Sequence, residues 1–202
     1  MSQPIVAFDY DGTLIDAFEA KRESYWRAVA ETLGLEPAAR GVVDASYART
    51  SGANRFDQFA DTCRALGQDV AEAHRQEFSR LYSHYNEAFK ERMREFPSVR
   101  PVLGALRARY DLALLSGLLH DLLLTDVAER GLEPFFDIVQ GGDKAGSLER
   151  LRAAGRSVVL FVGDTSHDES VAREAGVAFY RVTSDDELRR LPETLDVRKR
   201  ER

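Results

Sequence analysis

The sequence predicts an α/β protein: a doubly wound parallel sheet, interrupted just after its first strand by an all-helical insert. Three observations lead there. Apolar runs stop abruptly at polar residues and glycine, as Ile5-Val6-Ala7-Phe8 does at Asp9-Tyr10-Asp11-Gly12, which is how strands buried on both faces read. Later runs alternate with helical patterns, so the strands are joined by crossovers with helices on both sheet faces. Between the first run and the second, from about residue 16 to residue 96, only helical patterns occur.

Four further strands follow from the same signal. Residues 112–115 end at Ser116-Gly117, Ile138-Val139 leads to Gly141-Gly142, residues 158–162 end at Gly163-Asp164, and residues 178–182 form the last. Val99, Val102, Leu103 and Leu106 carry helix spacing before the second strand, and Leu122, Val127 and Leu132 carry it more loosely before the third. Within the insert, Phe18, Trp26, Val29 and Leu33 mark one helix ending near Gly34. Phe56, Phe59, Ala60, Cys63 and Leu66 mark another ending at Gly67. Phe78, Leu81, Tyr82, Tyr85, Phe89 and Met93 mark a long third, stopped by Pro97. A lone strand at the start needs partners, and the only other strands lie beyond the helices. The expected domains are therefore a core of residues 1–15 and 97–202 and a helical cap of residues 16–96. The charged tail of residues 196–202 is expected to fray.

Bulk properties exclude several function classes. The 202 residues are 44% hydrophobic, enough for a sizeable core, and 34 acidic residues against 28 basic give a formal charge of −6. That balance speaks against a general nucleic-acid or anionic-membrane surface. The single cysteine, Cys63, excludes an internal disulfide and a cysteine zinc cluster. No run approaches the roughly 18 apolar residues of a membrane span, and residues 4–8 are too short for a signal-peptide core. A cytoplasmic protein, monomeric or homodimeric, is expected.

In an open parallel sheet the ligand lies at the carboxyl ends of the strands. Those ends carry Asp9 and Asp11, Ser116 and Gly117, Lys144 just beyond the third strand, and Asp164 with Asp168 four residues on. Carboxylates gathered so closely repel one another unless a cation lies among them. Oxygen donors without a His or Cys cluster favour Mg2+, which commonly shares its coordination with phosphate. A serine hydroxyl and an ammonium suit phosphate oxygens. A carboxylate is a competent nucleophile towards phosphorus, and a second one nearby can act as general acid and base. Blander roles exist for each: turn capping for Asp9 and Asp11, helix capping for Ser116, a surface turn for Lys144 and a first-turn acid for Asp168.

Four segments resemble, in order, the motifs of the haloacid dehalogenase-like hydrolases. Phe8-Asp9-Tyr10-Asp11-Gly12-Thr13-Leu14 is similar to the first and Leu114-Leu115-Ser116-Gly117 to the second; Lys144 stands where the third-motif lysine belongs, and Gly163-Asp164-Thr165-Ser166-His167-Asp168 is similar to the fourth. The helical insert between the first two motifs resembles the first-type cap of that superfamily. The resemblance implies that Asp9 is nucleophile and magnesium ligand. It makes Asp11 the general acid/base, ligating through its backbone carbonyl, and Asp164 the third protein ligand, with Asp168 behind it or reaching the metal. Ser116, the Gly117 backbone and Lys144 would hold the phosphoryl group. An aspartate at position 11 implies a phosphate monoester, hence a small phosphorylated metabolite as partner. The third-motif lysine is often followed by proline, whereas Ala145 stands here. Lysine is scarce in this chain, four residues among 28 basic ones, and Lys144 is the only one between Lys90 and Lys199.

The cap is expected to select substrate and to exclude water on closing. Its polar loop Thr50-Ser51-Gly52-Ala53-Asn54-Arg55 offers Arg55 for a second anionic group, with an exposed first-turn arginine as the alternative. Lys21 and Arg22 are weaker candidates. His74, His84, His120 and His167 are too scattered to ligate one metal. A sugar-phosphate mutase shares the four motifs and is the enzymatic alternative; a non-catalytic binding protein on this scaffold is the third reading.

Overall fold

The computed structural model describes residues 3–200, with side chains as far as residue 195. The chain divides into two compact units, Met1–Asp16 with Glu95–Arg202, and Ala17–Arg94. In chain order the strands are β1 (Ile5–Phe8), β2 (Ile15–Asp16), β3 (Arg94–Glu95), β4 (Asp111–Ser116), β5 (Ile138–Gly141), β6 (Val158–Gly163) and β7 (Ala178–Arg181). The helices are α1 (Phe18–Leu33), α2 (Arg40–Thr50), α3 (Arg55–Ala65), α4 (Glu72–Ala88), α5 (Val99–Arg107), α6 (His120–Glu129), α7 (Lys144–Ala153), α8 (Ser166–Glu174) and α9 (Asp185–Arg200).

The first unit is built on a five-stranded parallel sheet of order β5-β4-β1-β6-β7. All four residues of β1 are fully buried, which is why an unbroken apolar run suits the central strand. Phe8 sits in register with Leu114 on one side and Val162 on the other. Ile5, Ala7, Ala113, Leu115 and Phe161 share one face, covered by Leu148 of α7 and by Val171 and Ala172 of α8. The chain steps outward from β1 to β4 and β5, then crosses back to β6 and β7. The strand order therefore reverses beside β1, and the carboxyl ends of β4, β1 and β6 lie side by side at that switch point.

The second unit is helical and has its own core of Tyr25, Ala28, Val29, Val43, Tyr47, Phe59, Cys63, Phe78, Leu81 and Tyr82. The rings of Phe59 and Phe78 stack with centroids 4.5 Å apart. Tyr25 Oη shares a 2.7 Å hydrogen bond with Thr62 Oγ1, so its buried polar atom is satisfied. Burial raises the Cys63 thiol above its ordinary pKa, which marks a packing residue rather than a nucleophile.

Three details depart from the sequence reading. The aromatic stripe through Met93 is not one helix: α4 ends at Ala88, Lys90–Arg92 form a 3-10 turn, and Met93 is extended with φ −93° and ψ 94°. Met93 is nevertheless buried, so its apolar character continues the stripe although the backbone has left the helix. Pro97 lies beyond the pairing of β2 with β3, two-residue strands too short to show an alternation. Finally, α2 buries only Val43, Ser46 and Tyr47, too mixed a set to stand out as an apolar face. The tail expected to fray continues α9 as far as Arg200, and residues 201 and 202 lie outside those described. No helix among the described residues is long and apolar enough to cross a membrane.

Phe59→Ala removes a fully buried ring from the helical unit. It is expected to lower stability in urea by about 3–5 kcal/mol; a loss below about 1 kcal/mol would contradict this account of its core.

Candidate active site

The backbone at the end of β1 is tightly specified. The Asp9 amide donates to Val162 O at 2.8 Å, extending the sheet by one residue. The Tyr10 carbonyl then accepts from the amides of Leu14 and Ile15 at 2.8 and 3.1 Å, while the Gly12 amide donates to Ile15 O at 2.7 Å. Gly12 has a φ of 86°, a region that L side chains rarely adopt. A Cβ there would also lie 2.3 Å from Asp164 Oδ2. Glycine is thus required twice, by the turn and by the approach of the β6 end.

Asp9, Asp164 and Asp168 come together, each offering a carboxylate oxygen within 4.8 Å of the others'. Lys144, the first residue of α7, reaches into the same cluster. Its Nζ lies 2.7 Å from Asp9 Oδ1 and 2.7 Å from Asp168 Oδ1, and all three side chains are at most 4% exposed. The helix that delivers Lys144 is capped by Asp143, whose side chain accepts from the Gly146 amide.

Asp168 is held from both sides. Its second oxygen accepts from the Thr165 amide at 3.1 Å and from Thr165 Oγ1 at 2.5 Å, while Thr165 Oγ1 accepts from the Asp168 amide. This is a capping box at the start of α8. Gly163 admits it: a Cβ there would fall 2.7 Å from the Asp168 side chain. Thr13 is fully buried, and its hydroxyl donates to Asp164 Oδ1 at 3.4 Å.

The electrostatics follow from burial and neighbours. Burial drives the Asp9 carboxyl well above the usual carboxylate range, with Asp168 and Asp164 adding to it against the pull of Lys144. Burial, then the Asp168 charge, pushes Asp164 up to about 6. Burial works to raise Asp168 as well, but the charge and hydrogen bond of Lys144 and the bonds from Thr165 hold it below its ordinary value. Burial disfavours charge on Lys144, yet Asp9 and Asp168 outweigh it and keep the ammonium protonated. Three carboxylates face one ammonium, so the fully ionised set carries two uncompensated negative charges.

Ser116 closes β4 with 1% exposure, in register with Gly141 of β5. Its Oγ accepts from the Leu118 amide at 3.1 Å, while Leu119 is the cap residue of α6. Ser116 is therefore not a helix cap, and a hydroxyl that accepts one bond keeps its proton to donate. Gly117, next in the chain, is half-buried, as is Asp11, which forms a bridge with Ile15 across the turn.

Arg55 belongs to the other unit. It is 4% exposed, with Nη1 donating to Ser83 Oγ at 2.8 Å and Ser79 O at 3.2 Å and the guanidinium carbon 5.3 Å from the centroid of the Tyr82 ring. The alternative of an exposed first-turn arginine is corrected by that burial. Sequence reasoning missed two contributors. Thr165 was legible in its Thr-x-x-Asp spacing to Asp168. Tyr10, which hydrogen-bonds Asp126 across 116 positions, left no local signal.

The chain matches the haloacid dehalogenase-like hydrolase family over residues 4–176. A phosphoglycolate phosphatase of Chromobacterium violaceum is 28% identical over 189 residues, covering 86% of this chain and 82% of that protein. A phosphoglycolate phosphatase of Mesorhizobium japonicum is 27% identical over 190 residues, covering 88% and 81%. The crystal structure of a predicted phosphoglycolate phosphatase from Haemophilus somnus superposes with a TM-score of 0.71 at 23% identity, covering 91% of this chain and 86% of that one, and so shares the fold. With the match spanning most of the chain and the acid cluster standing at the sheet's switch point, this protein belongs to the haloacid dehalogenase-like hydrolase family.

Proposed function

We propose that the protein is a magnesium-dependent phosphatase that hydrolyses a small phosphate monoester through an aspartyl-phosphate on Asp9. The observation that carries this reading is the cluster itself: a buried carboxylate at the end of the central strand, in contact with a lysine and beside two further acids. Two phosphoglycolate phosphatases among the relatives support a short, anionic phosphate ester as the first compound to test.

The donor set fits a hard divalent cation. All candidate ligands are oxygens, no histidine or cysteine joins them among the described residues, and the excess negative charge is two. Asp9 and Asp164 would hold the ion, together with the Asp11 backbone carbonyl. Asp168 has both oxygens engaged by Lys144 and Thr165, which favours a supporting place behind Asp164. The bound ion would neutralise the carboxylate and phosphoryl oxygens as they approach one another.

In the first step an Asp9 oxygen forms a bond to phosphorus as the bond from phosphorus to the leaving oxygen breaks, and Asp11 gives that oxygen its proton. In the second, Asp11 takes a proton from water as the water attacks phosphorus; the bond to Asp9 breaks and phosphate leaves. Lys144 and Ser116 hold the phosphoryl oxygens throughout. For Arg55 we propose packing within the cap: Arg55→Gln should lower the melting temperature and leave KM unchanged.

Asp9→Asn is expected to reduce phosphate release from p-nitrophenyl phosphate and phosphoglycolate by at least about a thousandfold. Undiminished turnover in the pure variant would contradict the mechanism. Isomerisation of a sugar phosphate by the wild type without phosphate release would favour the mutase.

A second expectation concerns pH. The folded-state pKa of Asp164 is about 6, above the ordinary aspartate value near 4 of an unfolded chain. The folded state therefore binds a proton more tightly, and this group's contribution to stability falls as pH rises from about 4 to about 6. In metal-free protein, the melting temperature of wild type relative to Asp164→Asn should decline across that window. A flat or rising difference would contradict the burial of that charge.

A further inference from the structure

Tyr10 stands between Asp9 and Asp11, and the reaction set out above assigns it no part. Its ring is 1% exposed, yet its hydroxyl donates to Asp126 Oδ2 at 2.6 Å. The same oxygen accepts at 2.9 Å from Nε of Arg130, the C-cap residue of α6, four positions on. That helix follows the short loop that begins with Gly117, directly after Ser116 at the end of β4. At its other end Tyr10 is equally fixed, since its carbonyl is the acceptor for the Leu14 and Ile15 amides that close the turn. One residue thus ties the turn holding Asp9 and Asp11 to the helix behind the second motif.

The chemistry of the contact is that of an anchor. A phenylalanine would fill the same space, so the hydroxyl has to be accounted for separately. An O–H donated to a carboxylate is short and charge-assisted. Burial and the Asp126 charge push the phenol's pKa far up, so it remains a neutral donor. Arg130 balances Asp126, and the three groups together add no net charge next to an already acidic site. Residue 10 is the covalent link between residues 9 and 11, so fixing it at both its carbonyl and its hydroxyl restrains the backbone that carries both.

We propose that Tyr10 is a positioning residue, its hydroxyl bonded to the Asp126–Arg130 pair so that the peptide between Asp9 and Asp11 is held in one orientation. The catalytic consequence rests on the phosphatase reading; the mechanical consequence does not.

The test uses Tyr10→Phe, with Asp126→Ala as a second variant that removes the acceptor of the same bond. In metal-free protein, amide hydrogen exchange at Leu14 and Ile15 is expected to quicken about tenfold or more in both variants, with β4 amides unchanged. With magnesium and p-nitrophenyl phosphate, well below the melting temperature, kcat should fall about tenfold or more while KM stays within about twofold. The double variant should lose no more than Asp126→Ala alone, because both remove one bond. Unchanged exchange at Leu14 and Ile15 in folded variants overturns the proposal. So does a kcat loss that appears only with loss of β4 protection, which would mark a purely structural role. If the wild type hydrolyses no phosphate ester, the phosphatase reading fails, and the exchange measurement alone still decides whether Tyr10 braces the turn.

Discussion

Lys144 Nζ lies 2.7 Å from an oxygen of Asp9 and from one of Asp168, in a place where none of the three side chains is more than 4% exposed. Removing the ammonium from such a buried set would leave its carboxylates without a counter-charge in a poorly solvated place, at a cost of several kcal/mol. The arrangement explains why a chain so rich in arginine uses lysine here. A compact ammonium fits between two carboxylates, whereas a planar guanidinium with a fixed fork of donors does not. It also explains why the ammonium alone is insufficient: with Asp164 alongside, the acids outnumber it, and Asp9 and Asp164 are both driven towards protonation. In the proposed mechanism a protonated Asp9 would be a poor nucleophile, and further positive charge beside it would favour its ionised form.

The rest of the first unit can be understood as the means of assembling that cluster. The order β5-β4-β1-β6-β7 sets the ends of β4, β1 and β6 next to one another. Gly12 and Gly163 then let the side chains of Asp164 and Asp168 approach backbone where any Cβ would collide. The capping box of α8 serves the helix and the site at once, since the Asp168 oxygen that Thr165 holds is joined to the one that faces Lys144. Stability and chemistry are thus bound together in a few residues, and substitutions there will affect both.

The sheet was legible because each buried strand is an uninterrupted apolar run with glycine or a polar residue at its end. Ile5–Phe8 and Val158–Gly163 are clear cases. Asp9, Asp164 and Lys144 were legible as polar residues at those ends, because a parallel sheet gathers its strand ends along one edge. What was illegible depended on contacts across the chain or on mixed composition. The end of α4 was hidden by Met93, apolar and buried but outside the helix. Helix α2 was hidden by Ser46, a buried serine whose hydroxyl is bonded to Asp61 at 2.7 Å. Arg55 read either as an anion-binding group or as an exposed first-turn arginine; Ser79 and Ser83, on a different helix, are what allow its burial, and no local signal gave them away. The hydrogen bond of Tyr10 to Asp126 joins the turn after β1 to α6 across 116 positions, and nothing local to either residue announces it.

On the proposed reading, one hard divalent cation completes a set of buried acids that exceed their ammonium by two charges. Isothermal titration of metal-free protein with magnesium chloride tests it most directly. One ion should bind per chain, with binding lost in Asp164→Asn while that variant stays folded. No uptake at millimolar magnesium by the folded wild type, or uptake unaffected by Asp164→Asn, would contradict it.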